Sequence, residues 1–250
     1  MIASAINAVE GFAVASQLRS SAPNSCDTLR LMRSLRKRKL FAALLLAGFL
    51  VTLVTTSGLV VLHDQILNAS FQHRDQAIQS WVHGFARPML TEMMRGLSWI
   101  GSPIMLVPTI TLAVALLWRL RRKDDALLVA AAALGGVALD EVMKLHFKRL
   151  RPDLPWAFVH EHSFSFPSGH STLAIVMYGV IVYKAEVKLR SKWAKAALIV
   201  GACLMAMGIG FSRVYLGAHY PSDVAGGYFV GAVWLAAVIA SDSWIASQRS

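Results

Sequence analysis

Long apolar runs, each near the length that a bilayer requires, constrain the fold of this chain more than any other feature of its sequence. A helix needs roughly 17–25 mainly apolar residues to cross the hydrocarbon core. Six runs meet that length: 40–62, 102–120, 126–145, 171–188, 194–212 and 223–244. Hydrophobic residues make up 56% of the 250 residues, a higher share than soluble domains use. The sequence therefore predicts an all-α protein built on a bundle of six transmembrane helices.

The residues before the first apolar run have a different composition. Residues 1–39 combine Ser, Asn and Pro with a run of Arg and Lys, so we expect a poorly ordered basic segment. Met32 lies within that basic run, and translation that started there would leave only a short basic leader before the first span. Residues 40–245 are expected to form a single six-span domain.

A segment between the first two spans has helical periodicity but carries too many polar residues for a span. Its apolar residues recur three or four positions apart: Ile78, Val82, Phe85, Met89 and Met93. This spacing predicts an amphipathic helix with one apolar face. We expect this helix on the extracytoplasmic side, either lying in the membrane surface or packed over the bundle.

Positive charge follows the ends of the apolar runs. The formal net charge is +11, a balance that is typical of nucleic-acid binding, but most of the cations flank spans, as the positive-inside rule predicts for a membrane protein. Basic clusters precede the first span and occupy 119–123 and 184–195. With six spans these clusters share one side, so we expect both termini in the cytoplasm and the protein in a bacterial inner or plasma membrane. No nucleic-acid partner is expected, and the oligomeric state is not predicted.

Three short polar clusters stand in the loops that are predicted to face outwards. They are Lys144 with Arg151-Pro152, then Pro167-Ser168-Gly169-His170, and then Ser212-Arg213 with His219 and Asp223. The first of these loops is also rich in cations, namely Lys144, Lys148, Arg149 and Arg151. Cations in an outer loop run against the positive-inside rule, which favours an anionic ligand for them.

The third cluster contains the parts of an activated nucleophile. His219 and Asp223 are four residues apart, so a helical start to the last span would place them on one face. A carboxylate at one imidazole nitrogen fixes the tautomer and leaves the other nitrogen free to attack. Arg213 could hold phosphate oxygens in a fork. The alternative for this cluster is an ordinary His–Asp pair at the membrane interface.

The other two clusters supply positive charge and a backbone suited to anions. Gly169 permits a close backbone approach, and the free N–H groups of the helix that follows attract anions. A simple capping turn at Ser168 or Ser171 is the alternative. The cations of the first cluster could merely extend to the interface, and Asp140 could pair with Lys144 along one helix face.

In this order and spacing, the three clusters resemble the motifs of the type-2 phosphatidic acid phosphatase superfamily, which includes membrane lipid phosphatases and vanadium haloperoxidases. The resemblance covers roughly residues 70–240. It implies that His219 is the nucleophile, that Asp223 orients it, and that His170 protonates the leaving alcohol and then activates water. It also implies five phosphate-binding residues: Lys144, Arg151, Ser168, Gly169 and Arg213. No metal ion or other cofactor is expected, because fixed cations supply the positive charge in this family.

The function implied by the resemblance is metal-independent hydrolysis of a lipid phosphate or diphosphate, through a phosphohistidine at the outer membrane face. Undecaprenyl diphosphate, phosphatidylglycerol phosphate and phosphatidate all fit the family, and an outer site favours the polyprenyl diphosphate. Two other functions stay open: a lipid phosphotransferase with the same intermediate, and a non-enzymatic anion or lipid transporter. The charges cluster at one face and do not extend through the spans, which argues against a transporter.

Overall fold

The structure is a computed structural model that describes residues 25–159, 161–186 and 188–248. This part of the chain contains seven helices and no strand, which confirms the predicted all-α class. The helices are α1 (Ser25–His83), α2 (Pro88–Ile100), α3 (Pro103–Arg119), α4 (Lys123–Phe147), α5 (Gly169–Glu186), α6 (Lys192–Tyr215) and α7 (Pro221–Ser247).

Fewer of these helices have the length and apolar content of a span than the sequence predicted. Among the described residues four qualify, namely Lys39–Gly58 within α1, and α4, α6 and α7. A fifth is added if α2 and α3, which meet at a bend of 41°, count as one broken span. The predicted total of six is therefore not confirmed. The predicted span that does not qualify is α5. This helix is packed among α4, α6 and α7 and buries Ser171 and Thr172 completely. A helix enclosed by other helices tolerates such polar residues.

The packing of α5 against α7 is close because small residues meet at their contact. A Cβ atom added to Gly227 would lie 2.6 Å from the carbonyl oxygen of Ser168, and one added to Gly231 would lie 2.7 Å from that of Thr172. Small residues four apart allow two helix backbones to approach in this way. The starts of α5 and α7 are therefore held side by side.

The two ends of the helical core carry different polar networks. At one end, Lys184 of α5 forms ion pairs with Asp125 of α4 at 3.1 Å and with Asp242 of α7 at 2.6 Å. The cation-rich connections around 119–123 and 184–195 lie at this end. The other end, roughly 37 Å away along the 25 residues of α4 at 1.5 Å per residue, receives all three polar clusters.

The segment that was predicted to be one amphipathic helix is divided between two. α1 ends at His83 and α2 begins at Pro88, and Arg87 between them is extended, with φ −143° and ψ 148°. The prediction of a continuous helix is wrong because a residue before proline is driven out of the helical region. Of the five residues in the predicted apolar stripe, only Val82 is buried. The buried residues of α2 are Thr91, Met94 and Ser98.

The predicted N-terminal segment lies partly outside the described residues. Residues 1–24 are not described, so a poorly ordered segment over 1–39 and a translation start at Met32 stay predictions. The described residues fall into two units, one up to Ala43 and a second that begins at Leu44. All eight predicted site residues lie within the second unit.

Candidate active site

All eight predicted site residues lie at the same end of the helical core. They occupy the last turns of α4 and α6, the loop after α4, and the starts of α5 and α7: Lys144, Arg151, Ser168, Gly169, His170, Arg213, His219 and Asp223. The fold thus brings together three clusters that are far apart in the chain.

His219 and Asp223 form a buried pair, although not as neighbours on one helix face. α7 begins at Pro221, so His219 lies before the helix, and the predicted helical register is wrong because proline is favoured as a first helical residue. The Asp223 side chain instead reaches back towards the turn. Its Oδ2 accepts the N–H of Tyr220 at 2.8 Å and lies 3.5 Å from Nδ1 of His219. An acidic residue at the third helical position often bonds the capping residue in this way.

The second imidazole nitrogen of His219 faces Arg151. Nη1 of Arg151 lies 3.0 Å from Nε2 of His219 and donates to the carbonyl oxygen of Ala218 at 2.8 Å. Because a guanidinium can only donate, Nε2 is the accepting nitrogen, and the proton of the neutral ring lies on Nδ1, towards Asp223. The tautomer expected for attack through Nε2 is therefore the one that both neighbours favour.

A carboxylate that the sequence analysis did not select lies between two of the cations. Oε2 of Glu161 is 2.7 Å from Nη2 of Arg151, and Oε1 of Glu161 accepts a hydrogen bond from Nη2 of Arg213. Arg213 also donates to Oγ of Ser98 at 2.5 Å. Two arginines that share two oxygens of one anion have the arrangement that binds a phosphoryl group. Glu161 lies in an irregular loop, where no periodicity marks it.

The start of α5 is tied to both of its neighbours. The N–H of Ser168 donates to the carbonyl oxygen of Asp223 at 3.0 Å. Gly169 lies against α4, where an added Cβ would be 2.7 Å from Oδ2 of Asp140. That same oxygen accepts a hydrogen bond from Nζ of Lys144 at 2.7 Å, so the predicted Asp140–Lys144 pair is confirmed. One buried carboxylate thus fixes the distance between the Lys144 cation and the first turn of α5.

His170 is the second imidazole of the site. It is the second residue of α5 and lies close enough to Lys144, Glu161, Arg213 and His219 to interact electrostatically with each of them. The two histidines therefore lie close together, among cations and the carboxylate of Glu161.

A second ion-pair network, behind Asp223, was also missed. Nη1 of Arg149 lies 2.6 Å from Oδ1 of Asp223, and Nη2 of Arg149 lies 2.7 Å from Oδ2 of Asp75 in α1. Ser165 also donates to the Asp223 carboxylate. Arg149 was one of the outer-loop cations that favoured an anionic ligand, and for Arg149 this interpretation is wrong because its partners are carboxylates of the protein itself.

Helix α1 makes one more contact with the site. Nε2 of Gln79 donates to the carbonyl oxygen of His219 at 3.0 Å, and Gln79 is fully buried. Gln79 follows Asp75 by four residues, so both lie on one face of α1. The four-residue spacing of Asp75 and Gln79 was the one sequence signal that could have pointed to them. The same spacing also occurs on the ordinary polar face of a helix, so it does not identify residues that contact a site.

Burial and nearby charges both shift the pKa values of ionisable groups in these loops. Burial lowers the pKa of His219 below its usual value, and the cations of Arg151 and Arg213 act in the same direction against the raising effect of Asp223. The ring is therefore neutral at pH 7. Burial alone would raise the pKa of Glu161, but Arg213 and Arg151 outweigh it and hold this pKa below its usual value.

Comparisons with known proteins agree with this geometry. The family model described as the PAP2 superfamily matches residues 125–245. The chain is 36% identical over 174 residues to phosphatidylglycerophosphatase B of Bacillus subtilis, which covers 69% of this chain and 85% of that protein. It is 30% identical over 154 residues to undecaprenyl-diphosphatase of Sulfolobus acidocaldarius, which covers 58% of this chain and 67% of that protein.

A solved structure also resembles most of the fold. The crystal structure of a transmembrane PAP2-type phosphatidylglycerolphosphate phosphatase from Bacillus subtilis superposes with a TM-score of 0.67 at 32% identity, and covers 80% of this chain and 96% of that one. The region matched by the family model contains all eight predicted site residues, whereas Asp75 and Gln79 precede it. The site lies inside that region, and several helices are long and apolar enough to span a membrane. The chain also covers 85% of a phosphatase relative at 36% identity. It therefore belongs to the PAP2 superfamily and is an integral membrane protein.

Proposed function

We propose that this chain hydrolyses the phosphate of a membrane lipid through a phosphohistidine on Nε2 of His219. The observation that carries the proposal is the orientation of that ring. Nδ1 faces the Asp223 carboxylate at 3.5 Å and Nε2 faces the Arg151 guanidinium at 3.0 Å. A neutral imidazole with its free nitrogen directed at a phosphate-binding cation is arranged for attack on phosphorus.

In the first step, Nε2 of His219 forms a bond to phosphorus as the bond from phosphorus to the lipid oxygen breaks. The developing positive charge on the ring is stabilised by Asp223, whose carboxylate is already fixed by Tyr220 N–H. His170 donates a proton to the departing lipid oxygen. Lys144, Arg151, Arg213, Ser168 and the N–H of Gly169 hold the phosphoryl oxygens, and this fixed positive charge stabilises the transition state of phosphoryl transfer.

In the second step, water attacks phosphorus and the bond from phosphorus to Nε2 breaks. His170 accepts the proton of that water, which restores its initial state and releases inorganic phosphate. The two steps together thus return every group to its starting protonation. The cations of the chain provide the charge that a metal ion supplies in other phosphoryl-transfer enzymes, so we expect activity to persist in EDTA.

The leading substrate is phosphatidylglycerol phosphate. The relative named for that lipid covers more of this chain, at higher identity, than the relative named for undecaprenyl diphosphate. This reverses the order favoured by the sequence alone, in which an outer site favoured a polyprenyl diphosphate. Both are lipid phosphates whose tail would stay in the bilayer while the head group enters the cationic site.

The proposed site lies at the extracytoplasmic face, and both termini lie in the cytoplasm. The support is charge: the connections at 119–123 and 184–195 are rich in Lys and Arg and lie at the end of the core opposite the site. Short loops with this excess of cations stay in the cytoplasm. The cations near the site have partners among the carboxylates of the protein, as Arg149 does.

The test measures phosphate release by purified protein in detergent with EDTA, using phosphatidylglycerol phosphate, phosphatidate and undecaprenyl diphosphate. We expect release, fastest from phosphatidylglycerol phosphate, and a loss of more than about 10⁴-fold in His219→Ala, the scale seen when a nucleophile is removed. His146→Ala, an exposed histidine of α4, is the matched control and should keep full activity.

Two results would contradict this function. Unchanged phosphate release in His219→Ala would remove the nucleophile. Transfer of phosphate only to an added lipid acceptor, with none released to water, would favour a phosphotransferase. Radiolabelled substrate should also leave an acid-labile label on the protein that accumulates in His170→Ala and is absent from His219→Ala.

A further inference from the structure

We infer that Asp75 and Arg149 form an ion-pair network that positions Asp223. Helix α1, which lies outside the region matched by the family model, would then set the orientation of the nucleophile. This inference rests on the proposed function of His219. Asp75 and Arg149 do not touch the reacting atoms, so they are positioning residues.

The two oxygens of the Asp223 carboxylate have different partners. Oδ2 accepts the N–H of Tyr220 at 2.8 Å, accepts the hydroxyl of Ser165 and faces Nδ1 of His219. Oδ1 accepts a single charged donor, Nη1 of Arg149, at 2.6 Å. The plane of a carboxylate with one oxygen held by the backbone still depends on what holds the other oxygen. Arg149 therefore determines which way Oδ2 points.

Arg149 is itself held from three directions. Nη2 donates to Oδ2 of Asp75 at 2.7 Å, Nη1 also donates to Oγ of Ser222 at 2.7 Å, and the guanidinium lies 4.3 Å from the centre of the Tyr220 ring. Asp75 contacts Ser222 as well, since its Oδ1 accepts the N–H of that residue at 3.1 Å. Asp75 is 3% exposed and Asp223 fully buried. A partly exposed guanidinium that bridges two buried carboxylates forms one connected network with them.

The same face of α1 also holds the backbone of the nucleophile. Gln79, four residues after Asp75, donates to the carbonyl oxygen of His219 at 3.0 Å. Helix α1 thus contacts both members of the pair, His219 through its backbone and Asp223 through Arg149. Asp75 and Gln79 lie beyond the apolar stretch Lys39–Gly58 of α1, and both are buried. A buried polar side chain is costly unless it is hydrogen-bonded, and here the hydrogen-bond partners belong to the site.

The charges of Arg149 and Asp75 act on the pKa of His219 in opposite directions. Arg149 carries positive charge near Asp223 and His219, and Asp75 carries negative charge behind Arg149. Removing the first should raise the pKa of His219, and removing the second should lower it. Seven charged or titratable groups face the His219–Asp223 pair. They are Arg149, Arg151 and Glu161 from the loop after α4, His170 from α5, Arg213 from α6, Tyr220 before α7 and Asp75 from α1.

The experiment titrates His219 directly, by NMR of ¹⁵N-histidine-labelled protein in detergent, with His219→Gln to assign the resonance. We expect Arg149→Gln to raise the pKa of His219 and Asp75→Asn to lower it, each by about 0.5–1 unit, as a partly buried charge at this range does. The double variant should return close to the value of the unmodified protein. This measurement needs no substrate, so it separates failure of this inference from failure of the proposed function.

Kinetics give the second readout. Arg149→Lys keeps the charge but loses the two separate donor nitrogens, so we expect the pKa of His219 to stay unchanged. We expect kcat to fall about 10²-fold at nearly constant KM, which is the cost of a small misplacement of a catalytic group. Arg95→Gln removes an exposed arginine that pairs with Glu92 at 2.6 Å, and this control should change neither value. Shifts of the same sign in Arg149→Gln and Asp75→Asn, or no shift in folded protein, would overturn the inference.

Discussion

Glu161 is the single residue whose contacts bear most directly on substrate binding. Its two oxygens engage Arg151 and Arg213, the two guanidinium groups proposed to hold the phosphoryl group. Those guanidinium groups keep the pKa of Glu161 below its usual value, so its carboxylate is ionised at neutral pH. A phosphate that enters the site must therefore displace an anion that is already bound.

Glu161→Gln should strengthen the binding of anions to the site. The amide keeps the shape of the side chain but removes the competing charge, so we expect the inhibition constant of inorganic phosphate to fall about tenfold, a difference of about 1.4 kcal/mol. Inhibition of phosphate release from a lipid substrate measures it. Glu92→Gln, which changes an exposed glutamate on α2, is the control. A weaker or unchanged inhibition constant in Glu161→Gln would show that the substrate binds without displacing this carboxylate.

At the scale of elements, the start of α5 is positioned by how closely it approaches its neighbours. The N–H of Ser168 bonds to α7, and Gly169 leaves no room between α5 and Asp140 of α4. Because Asp140 also holds Lys144, the distance between α4 and α5 determines where that cation lies. Helix packing and the charge of the site are thus set by the same contact.

Gly169→Ala should damage both stability and catalysis. The new Cβ would lie 2.7 Å from Oδ2 and 3.1 Å from Cγ of Asp140, so the helices must separate, at a cost of about 1–3 kcal/mol for an overpacked contact. We expect kcat/KM to fall about 10²-fold because His170 and Lys144 move. Thermal unfolding in detergent and phosphate release measure the two effects.

The matched control for this substitution is Gly201→Ala in α6, where an added Cβ meets nothing within 4 Å. Alanine is favoured over glycine inside a helix by about 0.5–1 kcal/mol, so this variant should be as active as the unmodified protein and slightly more stable. Equal behaviour of the two variants would mean that the α4–α5 approach does not constrain the site.

At the scale of the whole molecule, the two ends of the core differ in how their cations are used. At the end opposite the site, Lys184 bridges α4 and α7 through Asp125 and Asp242, and the neighbouring loops carry further cations. At the site end, Arg149, Arg151 and Arg213 are paired with carboxylates. The end with the larger excess of Lys and Arg in its loops is expected in the cytoplasm.

Cysteine labelling tests this orientation. In a background with Cys26→Ser and Cys203→Ser, Asp153→Cys places a thiol in the loop at the site end and Arg190→Cys places one between α5 and α6, and both positions are exposed. In intact cells a membrane-impermeant thiol reagent should label position 153 and leave position 190 unlabelled until the membrane is opened. The reverse pattern would move the site to the cytoplasmic face.

The parts of the site that could be predicted are those in which short spacing carries the information. Lys144 and Asp140 are one helical turn apart, so their pair follows from the sequence. His219 and Asp223 were paired correctly by spacing, but the geometry was wrong because Pro221 begins α7 after His219. The amphipathic helix was wrong for a related reason: Pro88 divides it, and the apolar period of the residues continues across the break.

Residues that act on the site from distant parts of the chain could not be predicted in this way. Asp75 and Arg149 are 74 positions apart, and Arg151 and His219 are 68 apart. No local period relates such residues. Glu161 lies in an irregular loop, where its meeting with Arg213 depends on how α6 is packed.

By itself, the sequence determined that the chain is helical, that it enters a membrane, and which residues are candidates to bind a phosphoryl group or react with it. Apolar run length and motif spacing are local properties, so they can be read in order along the chain. Only the tertiary structure decided which carboxylate neutralises which cation, and therefore that Arg149 serves Asp223 while Arg151 faces His219. The energy of a buried charge depends on distances of a few ångströms between groups on different helices, and those distances exist only once the helices have packed.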